Sequence, residues 1–337
     1  MREAMLYEGS GEGRVRCRLC PHGCVIRDGG RGLCGVRENR DGKLYSLVYG
    51  KLCAANVDPI EKKPLYHFLP GSASYSVSAV GCNFRCMHCQ NWEISQAPKD
   101  GGRIYGEDTS PEEIVANARS CGCKSVSYTY TEPTVFMEYA LDTSKAAREA
   151  GLRNVFVSNG YMSGEAVELI TPHLDADNVD LKAYTEKFYR EVCGASLEPV
   201  LRTLKDLVGR GVWVEVTTLI IPSLNDSEGE LREIAEFISG ELGVHVPWHV
   251  SRFHPDYKLT GLPATDVNAV SEAVEIGRKA GLKYVYGGNV PHGGYENTYC
   301  PGCGEVLIER RGFTIVRNVI GSGVCPKCYS QIEGVWQ

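Results

Sequence analysis

The chain has 337 residues, 43% hydrophobic and 23% charged, with 36 basic residues against 42 acidic ones and a net charge of −6. This is room for one barrel-sized catalytic unit with smaller modules attached, in the composition of a folded protein rather than a disordered one. The balance disfavours a nucleic-acid binder working by charge, since no Lys/Arg run is long enough to track phosphates. No segment reaches the roughly 20 apolar residues of a membrane span. Met1 to Glu8 carries charges where a signal peptide has its apolar core, so a cytoplasmic protein without a membrane is expected. Fifteen cysteines in such a reducing compartment indicate metals or redox chemistry rather than disulfides.

In chain order, residues 1–69 read as a cysteine-rich module. Cys17, Cys20, Cys24 and Cys34 follow one another with gaps of two, three and nine residues. That spacing suits zinc or a second iron–sulfur cluster, and it does not choose between them, so the metal here is unknown. A strand is expected over 75–80, and directly after it comes Gly81-Cys82-Asn83-Phe84-Arg85-Cys86-Met87-His88-Cys89. Three closely spaced thiolates can hold three corners of a [4Fe–4S] cube and leave the fourth iron free, whereas electron-transfer clusters usually have four protein ligands. The competing assignment is a zinc site that borrows a fourth ligand, with His88 at hand. Zinc knots more often set two Cys-x2-Cys-like pairs apart.

Further strands are expected over 125–130, 154–158, 178–181, 213–220, 245–251 and 283–286, with helical patterns between them. Ser110-Pro111-Glu112-Glu113 combines an N-cap, a first-turn proline and a capping-box glutamate, and opens a helix running to Gly122. A second helix passes through Ala146, Ala147 and Arg148 and stops at Gly151. A third carries Leu231, Ile234, Ala235 and Ile238 after Asn225-Asp226-Ser227, and a last one runs from about 265 to Gly281. Strand–helix alternation of this kind predicts an α/β fold with a parallel sheet. Seven units point to a partial or full (β/α) TIM-type barrel over 70–292. An open doubly wound sheet is the rival, weakened because no Gly-x-Gly-x-x-Gly leads from a strand into a helix. Cys53, Cys121, Cys123 and Cys193 read as small buried hydrophobes.

The tail, 293–337, carries Cys300-Pro301-Gly302-Cys303 and Cys325-Pro326-Lys327-Cys328 around a strand-like stretch from Val306 to Val319. Two such knuckles have zinc-ribbon spacing, and four thiolates suit a closed tetrahedral structural zinc site, with rubredoxin-type iron as the alternative. The tail is expected to fold around this metal, with Trp336 or Tyr299 offered to a partner.

Cys82-x3-Cys86-x2-Cys89 after the first barrel strand resembles the signature of the radical S-adenosylmethionine superfamily. The resemblance implies that S-adenosylmethionine chelates the open iron and is cleaved by an electron from the cluster to a 5′-deoxyadenosyl radical, the protein's part being to bind, orient and shield. It implies that Cys82, Cys86 and Cys89 hold the [4Fe–4S] cluster and that His88 packs against adenine. Other strand ends are similar to the pyruvate formate-lyase activating enzyme branch. Glu132, in Tyr128-Thr129-Tyr130-Thr131-Glu132-Pro133-Thr134, stands where relatives have a Gly-Gly-Glu that binds the methionine ammonium, although the glycines are replaced; a helix N-cap is the plainer role. Ser158-Asn159-Gly160 resembles a Thr-Asn-Gly that contacts ribose and methionine, with Val157 where the branch has an aspartate. Asp180-Leu181-Lys182 matches an Asp-Leu-Lys run. Alternation puts Asp180 and Lys182 on one face, as cofactor ligands or as an internal ion pair. His254 corresponds to a histidine near the adenosyl group, or is structural.

With Cys17-Arg18-Leu19-Cys20-Pro21-His22-Gly23-Cys24, Gly32-Leu33-Cys34-Gly35 and the ribbon-like tail, the chain resembles the radical enzymes of the AmmeMemoRadiSam system. The expected function is a radical enzyme acting on a protein or peptide, with a ferredoxin or flavodoxin as electron donor. One alternative is radical modification of a small molecule linked to Memo-like or AMME-type partners. Another is a non-catalytic iron–sulfur electron carrier or assembly protein.

Overall fold

The computed structural model describes residues 1–290 and 294–337; the boundary expected between 292 and 293 lies outside the described residues. Eight strands form one sheet: β1 (Ala54–Pro59), β2 (Ala73–Ser78), β3 (Ser125–Tyr128), β4 (Arg153–Ser158), β5 (Ala176–Asp180), β6 (Trp213–Ile220), β7 (Trp248–Arg252) and β8 (Val285–Gly288). Their spatial order is the chain order. Strands β2 to β8 are all parallel to their neighbours, and β1 lies antiparallel on β2. Among the described residues no pairing joins β8 to β1, so the barrel is partial. The seven parallel strands are those the sequence pattern marks, displaced by a few residues at most. β1 was not among them: Asn56, Val57 and Pro59 are exposed on an edge, so no two-sided burial marks it.

Parallel strands covered on both faces lose the polar–apolar alternation, and β3 is buried at every position. The helices that cover the outer face follow their capping signals. In α1 (Pro111–Ser120) Ser110 Oγ accepts from Glu113 N at 3.2 Å and Glu113 Oε2 accepts from Ser110 N at 2.6 Å, the reciprocal capping box. The next helix, α2 (Met137–Glu149), ends two residues before Gly151, which turns the chain at φ +77°. Then come α3 (Gly164–Ile170), α4 (Glu198–Gly209), α5 (Glu228–Phe237) and α6 (Val267–Lys279). No helix of the described residues is long and apolar enough to cross a membrane.

The N-terminal end of the sheet is plugged by the chain's own segments. Leu65, Phe68 and Val335 pack with Val155 and Ala176 from the strands, and the backbone of Val335 pairs with His67 and Leu69. Glu215, fully buried on β6, is the polar centre of this plug. It accepts from Tyr66 N (3.0 Å), His67 N (2.8 Å), Trp213 Nε1 (3.1 Å) and His249 Nε2 (2.6 Å). Burial works against its charge, but the hydrogen bond and charge of His249 win and hold the carboxyl below its ordinary value.

The C-terminal module is a three-stranded antiparallel sheet of Thr298–Tyr299, Val306–Arg311 and Thr314–Asn318. The single strand-like stretch expected there is thus a hairpin, turned at Gly312. Arg310 docks it on the barrel: the guanidinium is buried, donates to Tyr66 O at 2.8 Å and lies over the Tyr66 ring. Trp336 packs against His67, 5.3 Å between rings, which uses it inside the molecule rather than presenting it; Tyr299 is partly exposed. At the other terminus Arg37, buried in the N-terminal module, pairs with the buried Glu138 of α2. Of the four remaining cysteines Cys123 and Cys193 are buried as expected, but Cys53 is half-buried and Cys121 is exposed, because Cys121 caps the end of α1 beside Gly122.

Replacing Glu215 by Ala strands four buried donors and should cost about 3–5 kcal/mol in denaturant unfolding. Because its carboxyl titrates below the ordinary range when folded, the contribution is present above that range and is lost as pH falls. The variant should therefore show a shallower acid limb of stability than the parent.

Candidate functional site

Loops at the C-terminal ends of β2 to β6 converge on Cys82, Cys86 and Cys89. The cysteine loop has almost no regular structure of its own, and its shape comes from its neighbours. Arg85 N donates to Cys193 O at 2.9 Å and Met87 N to Val192 O at 3.0 Å, so the helical turn after β5 clamps it. Lys258 N, from the loop after β7, donates to Met87 O at 2.9 Å. Gly194 makes the close approach: at φ +70° it is left-handed, and a Cβ there would meet the Arg85 side chain at 2.5 Å.

The three sulfurs are each held by a local contact. Phe84 N donates to Cys82 Sγ at 3.3 Å, Ser95 Oγ lies 3.3 Å from Cys89 Sγ, and Cys193 stands beside Cys86. Burial raises the Cys82 thiol, and Cys193 together with burial raises Cys86. A cation bound among them would reverse both shifts. No three of the described cysteine sulfurs here lie within 4.8 Å of one another, whereas the four C-terminal ones do. One zinc ion needs sulfurs about 3.8 Å apart, because Zn–S is about 2.3 Å in a tetrahedron. The three sulfurs of this loop are thus not drawn to a single ion's spacing, unlike the four on the tail.

The strand ends supply the polar surround. Asn159, after β4, donates from Nδ2 to Asn83 Oδ1 at 2.8 Å and stands 3.8 Å from Cys82 Sγ, while its Oδ1 accepts from Tyr161 N at 3.0 Å. Glu132, after β3, accepts from Asn159 N at 2.8 Å through Oε2 and from Thr134 N at 3.0 Å through Oε1. It is thus an N-cap and a brace between two strand ends at once. Burial pushes its carboxyl up to about 7, against the hydrogen bonds from Thr134 and Asn159. Tyr130 sits at φ +64°, a left-handed backbone uncommon for a residue with a side chain, and its hydroxyl donates to Asp58. Ser158 Oγ donates to Asp177 Oδ2 at 3.1 Å. Lys182 Nζ and Asp180 Oδ2 form an ion pair at 2.7 Å. Burial opposes the Lys182 charge, yet Asp180 and the Cys86 sulfur outweigh it.

His88 is buried, 6.1 Å from the Phe188 ring, and its Nδ1 has no hydrogen-bond partner among the described residues. Burial, then Lys182, pushes the imidazole down to about 3, so the ring is neutral. His254 lies exposed on the loop after β7 and is not drawn into this polar ring. Two participants had escaped the sequence reading. Asn83 lies between Cys82 and Cys86, and its place in the loop is the signal that points to it. Asp177 is fully buried with Oδ1 unpartnered among the described residues, and in a strand that also carries Asn178 and Asp180 the sequence does not single it out.

Cys300, Cys303, Cys325 and Cys328 form the one group of described side chains close enough for a single ion, with Cys300 and Cys328 sulfurs 3.5 Å apart and Cys303 and Cys325 sulfurs 3.8 Å apart. This closed four-sulfur site lies on the tail, away from the strand ends.

Residues 76–238 match the family described as the radical SAM superfamily. The chain is 49% identical over 335 residues, 99% of both chains, to uncharacterized protein MJ0808 of Methanocaldococcus jannaschii. It is 26% identical over 204 residues, 55% of this chain and 82% of the other, to the pyruvate formate-lyase-activating enzyme of Clostridium pasteurianum. Among solved structures, Streptococcus suis SuiB bound to S-adenosylmethionine superposes with a TM-score of 0.50 at 15% identity, over 69% of this chain and 53% of that one, a likeness of fold.

Asn159→Ala removes the buried amide that joins Asn83, Tyr161 and Cys82. It should cost about 1–3 kcal/mol in denaturant unfolding and loosen the cysteine loop, read as faster thiol alkylation of metal-free protein at Cys82.

Proposed function

The chain belongs to the radical SAM superfamily, in its activating-enzyme-like branch, and from that premise we propose that it cleaves S-adenosylmethionine reductively and abstracts hydrogen from a protein or peptide substrate. The observation that supports this reading is the loop at the strand ends that carries Cys82, Cys86 and Cys89, whose sulfurs are not drawn to a single ion's spacing. A [4Fe–4S] cluster held there would supply the electron for reductive cleavage of S-adenosylmethionine to methionine and a 5′-deoxyadenosyl radical.

The chain's residues bind, orient and shield. Cys82, Cys86 and Cys89 would hold the cluster, with Lys182 near Cys86 offsetting thiolate charge. Glu132 would accept from the methionine ammonium, and Ser158 and Asn159 would position ribose and methionine. Asp180 and Lys182, paired with each other, would meet the cofactor as a neutral unit. His88, neutral and apolar-packed, would lie against adenine, whereas His254, exposed on the loop after β7, is left near the adenosyl group by the family resemblance alone. Beside this loop Trp92 and Tyr257 stack at 5.1 Å, with Trp92 partly exposed; they offer a peptide side chain an aromatic surface at the entrance. We assign zinc to the four C-terminal cysteines, a ferredoxin or flavodoxin as donor, and a reducing intracellular setting. The three-part division at 69/70 and 292/293 belongs to the same proposal.

The test uses protein purified and reconstituted without oxygen, reduced with dithionite and mixed with S-adenosylmethionine. Release of 5′-deoxyadenosine with a perturbed cluster EPR spectrum is expected, and Cys86→Ala should abolish both. A fully clustered protein that gives neither would instead be an electron carrier or assembly protein. Turnover on a purified metabolite with no protein acceptor would move the substrate to a small molecule.

Glu132 adds a pH signature. Its carboxyl must lose a proton to receive an ammonium, and that proton leaves near pH 7. Equilibrium binding of S-adenosylmethionine to the anaerobic holoprotein should tighten as pH rises through about 7. Glu132→Gln should weaken binding and flatten the profile. An unchanged profile would remove Glu132 from the binding site.

A further inference from the structure

The N-terminal cysteines, which spacing leaves between zinc and an iron–sulfur cluster, are distinguished by their geometry. Cys17 ends the strand Val15–Cys17, Cys20 and Cys24 flank a tight turn closed by Gly23 N to Cys20 O at 3.1 Å, and Cys34 arrives from the loop before the strand Arg37–Arg40. All four line one small cavity, together with the apolar Leu19, Ile26 and Val135 and the polar Arg37, Asn83 and Thr134. No three of their sulfurs lie within 4.8 Å of one another, in contrast with the C-terminal four in the same chain. A single zinc ion would draw them together. Four thiolates that line one cavity without closing to a single ion's reach suit a cube, whose own irons and sulfides stand between the ligands. Two donors point at the sulfurs: Arg37 Nη1 to Cys17 Sγ and Leu33 N to Cys24 Sγ, both at 3.5 Å. Such bonds tune the potential of a cluster.

The position of this cavity gives it a use. Asn83, the residue after Cys82, also lines it. His22, between Cys20 and Cys24, is bonded through Nε2 to Asn83 O at 2.9 Å. Gly81, the residue before Cys82, is packed so tightly on this module that a Cβ would lie 2.6 Å from Val36 and 3.3 Å from Cys34 O. The two sulfur-bearing loops therefore touch on both sides of Cys82, and one hydrogen bond and a few covalent bonds connect them.

We propose that Cys17, Cys20, Cys24 and Cys34 hold a second [4Fe–4S] cluster, which passes electrons from a low-potential external one-electron donor to the cluster of Cys82, Cys86 and Cys89. With four protein ligands it has no open iron and binds no substrate. In each transfer the donor loses one electron, the outer cluster goes from the 2+ to the 1+ state and returns to 2+, and the inner cluster becomes 1+; no bond is made or broken. The relay rests on the radical reading of the central site, whereas the outer cluster itself does not.

The experiment compares the full chain with a Cys82→Ala/Cys86→Ala/Cys89→Ala variant, both purified and reconstituted without oxygen. The parent should hold about eight irons and the variant about four, each with one zinc. The reduced variant should keep an EPR signal that S-adenosylmethionine does not change. An iron-free variant with two zinc ions per chain would overturn the proposal. Should the variant fail to fold, Mössbauer spectra of the iron-57-loaded parent decide the matter: two cluster populations support the second cluster, and a single population with two zincs sinks it. For the relay, Cys20→Ser should keep dithionite reduction of the central cluster and lose fast reduction by a flavodoxin. Retention of fast flavodoxin reduction would overturn the relay and leave the cluster. A central signal indifferent to S-adenosylmethionine in the parent would refute the radical reading alone.

Discussion

Asn83 occupies the place where the molecule's separate requirements meet. Its side-chain oxygen accepts from Asn159, its side-chain nitrogen donates to Tyr161 O at 3.0 Å, and its carbonyl accepts from His22. A loop that must hold three sulfurs has too few backbone hydrogen bonds to hold itself, and buried polar groups without partners are costly. The loop therefore takes its shape from three directions: the end of β4, the turn after β5 and the N-terminal module. Each direction carries residues with a chemical role, so holding the loop and assembling the site are the same event.

The sheet is suited to this task because its strands are parallel and in chain order. Every strand then ends on one side, and each following loop arrives at the same mouth. The opposite end has no such duty and is filled for stability, with Glu215 and its four donors, the Leu65 and Phe68 plug, and the docked tail. Chemistry and stability are thus kept at separate ends. The charged residues follow this division. Glu215 is held ionised by a neighbouring histidine, while Glu132 at the mouth is left near its titration point by burial.

Three cysteine groups in one chain differ in geometry although their ligand type is the same. The tail's sulfurs close to within a single ion's reach on a small hairpin sheet. The other two groups stay open. One is in a loop beneath polar strand ends, and the other lines a small cavity of mixed polarity. Identical thiolates are thus held at different spacings by the surrounding fold, and spacing is what suits a site to one metal over another.

The sequence by itself determined the seven parallel strands, the main helix caps and the cysteine groups. These are local matters: burial on both faces, a side chain meeting its own backbone three residues on, and ligands a few residues apart. The Cys82, Cys86 and Cys89 loop was legible for the same reason, and so was the pairing of Asp180 with Lys182, two places apart on one face. The tertiary structure alone decided the rest. The edge strand β1 exists because β2 offers it partners, and Tyr130 holds a left-handed backbone where Asp58, distant in sequence, anchors its hydroxyl. Trp336 turns inward because His67 receives it, and Asp177 is buried because β4 brings Ser158 to it. The spacing of sulfurs between Cys17 and Cys34 was equally beyond the sequence, since residue gaps bound how far a chain can reach but not how far apart packing will hold it.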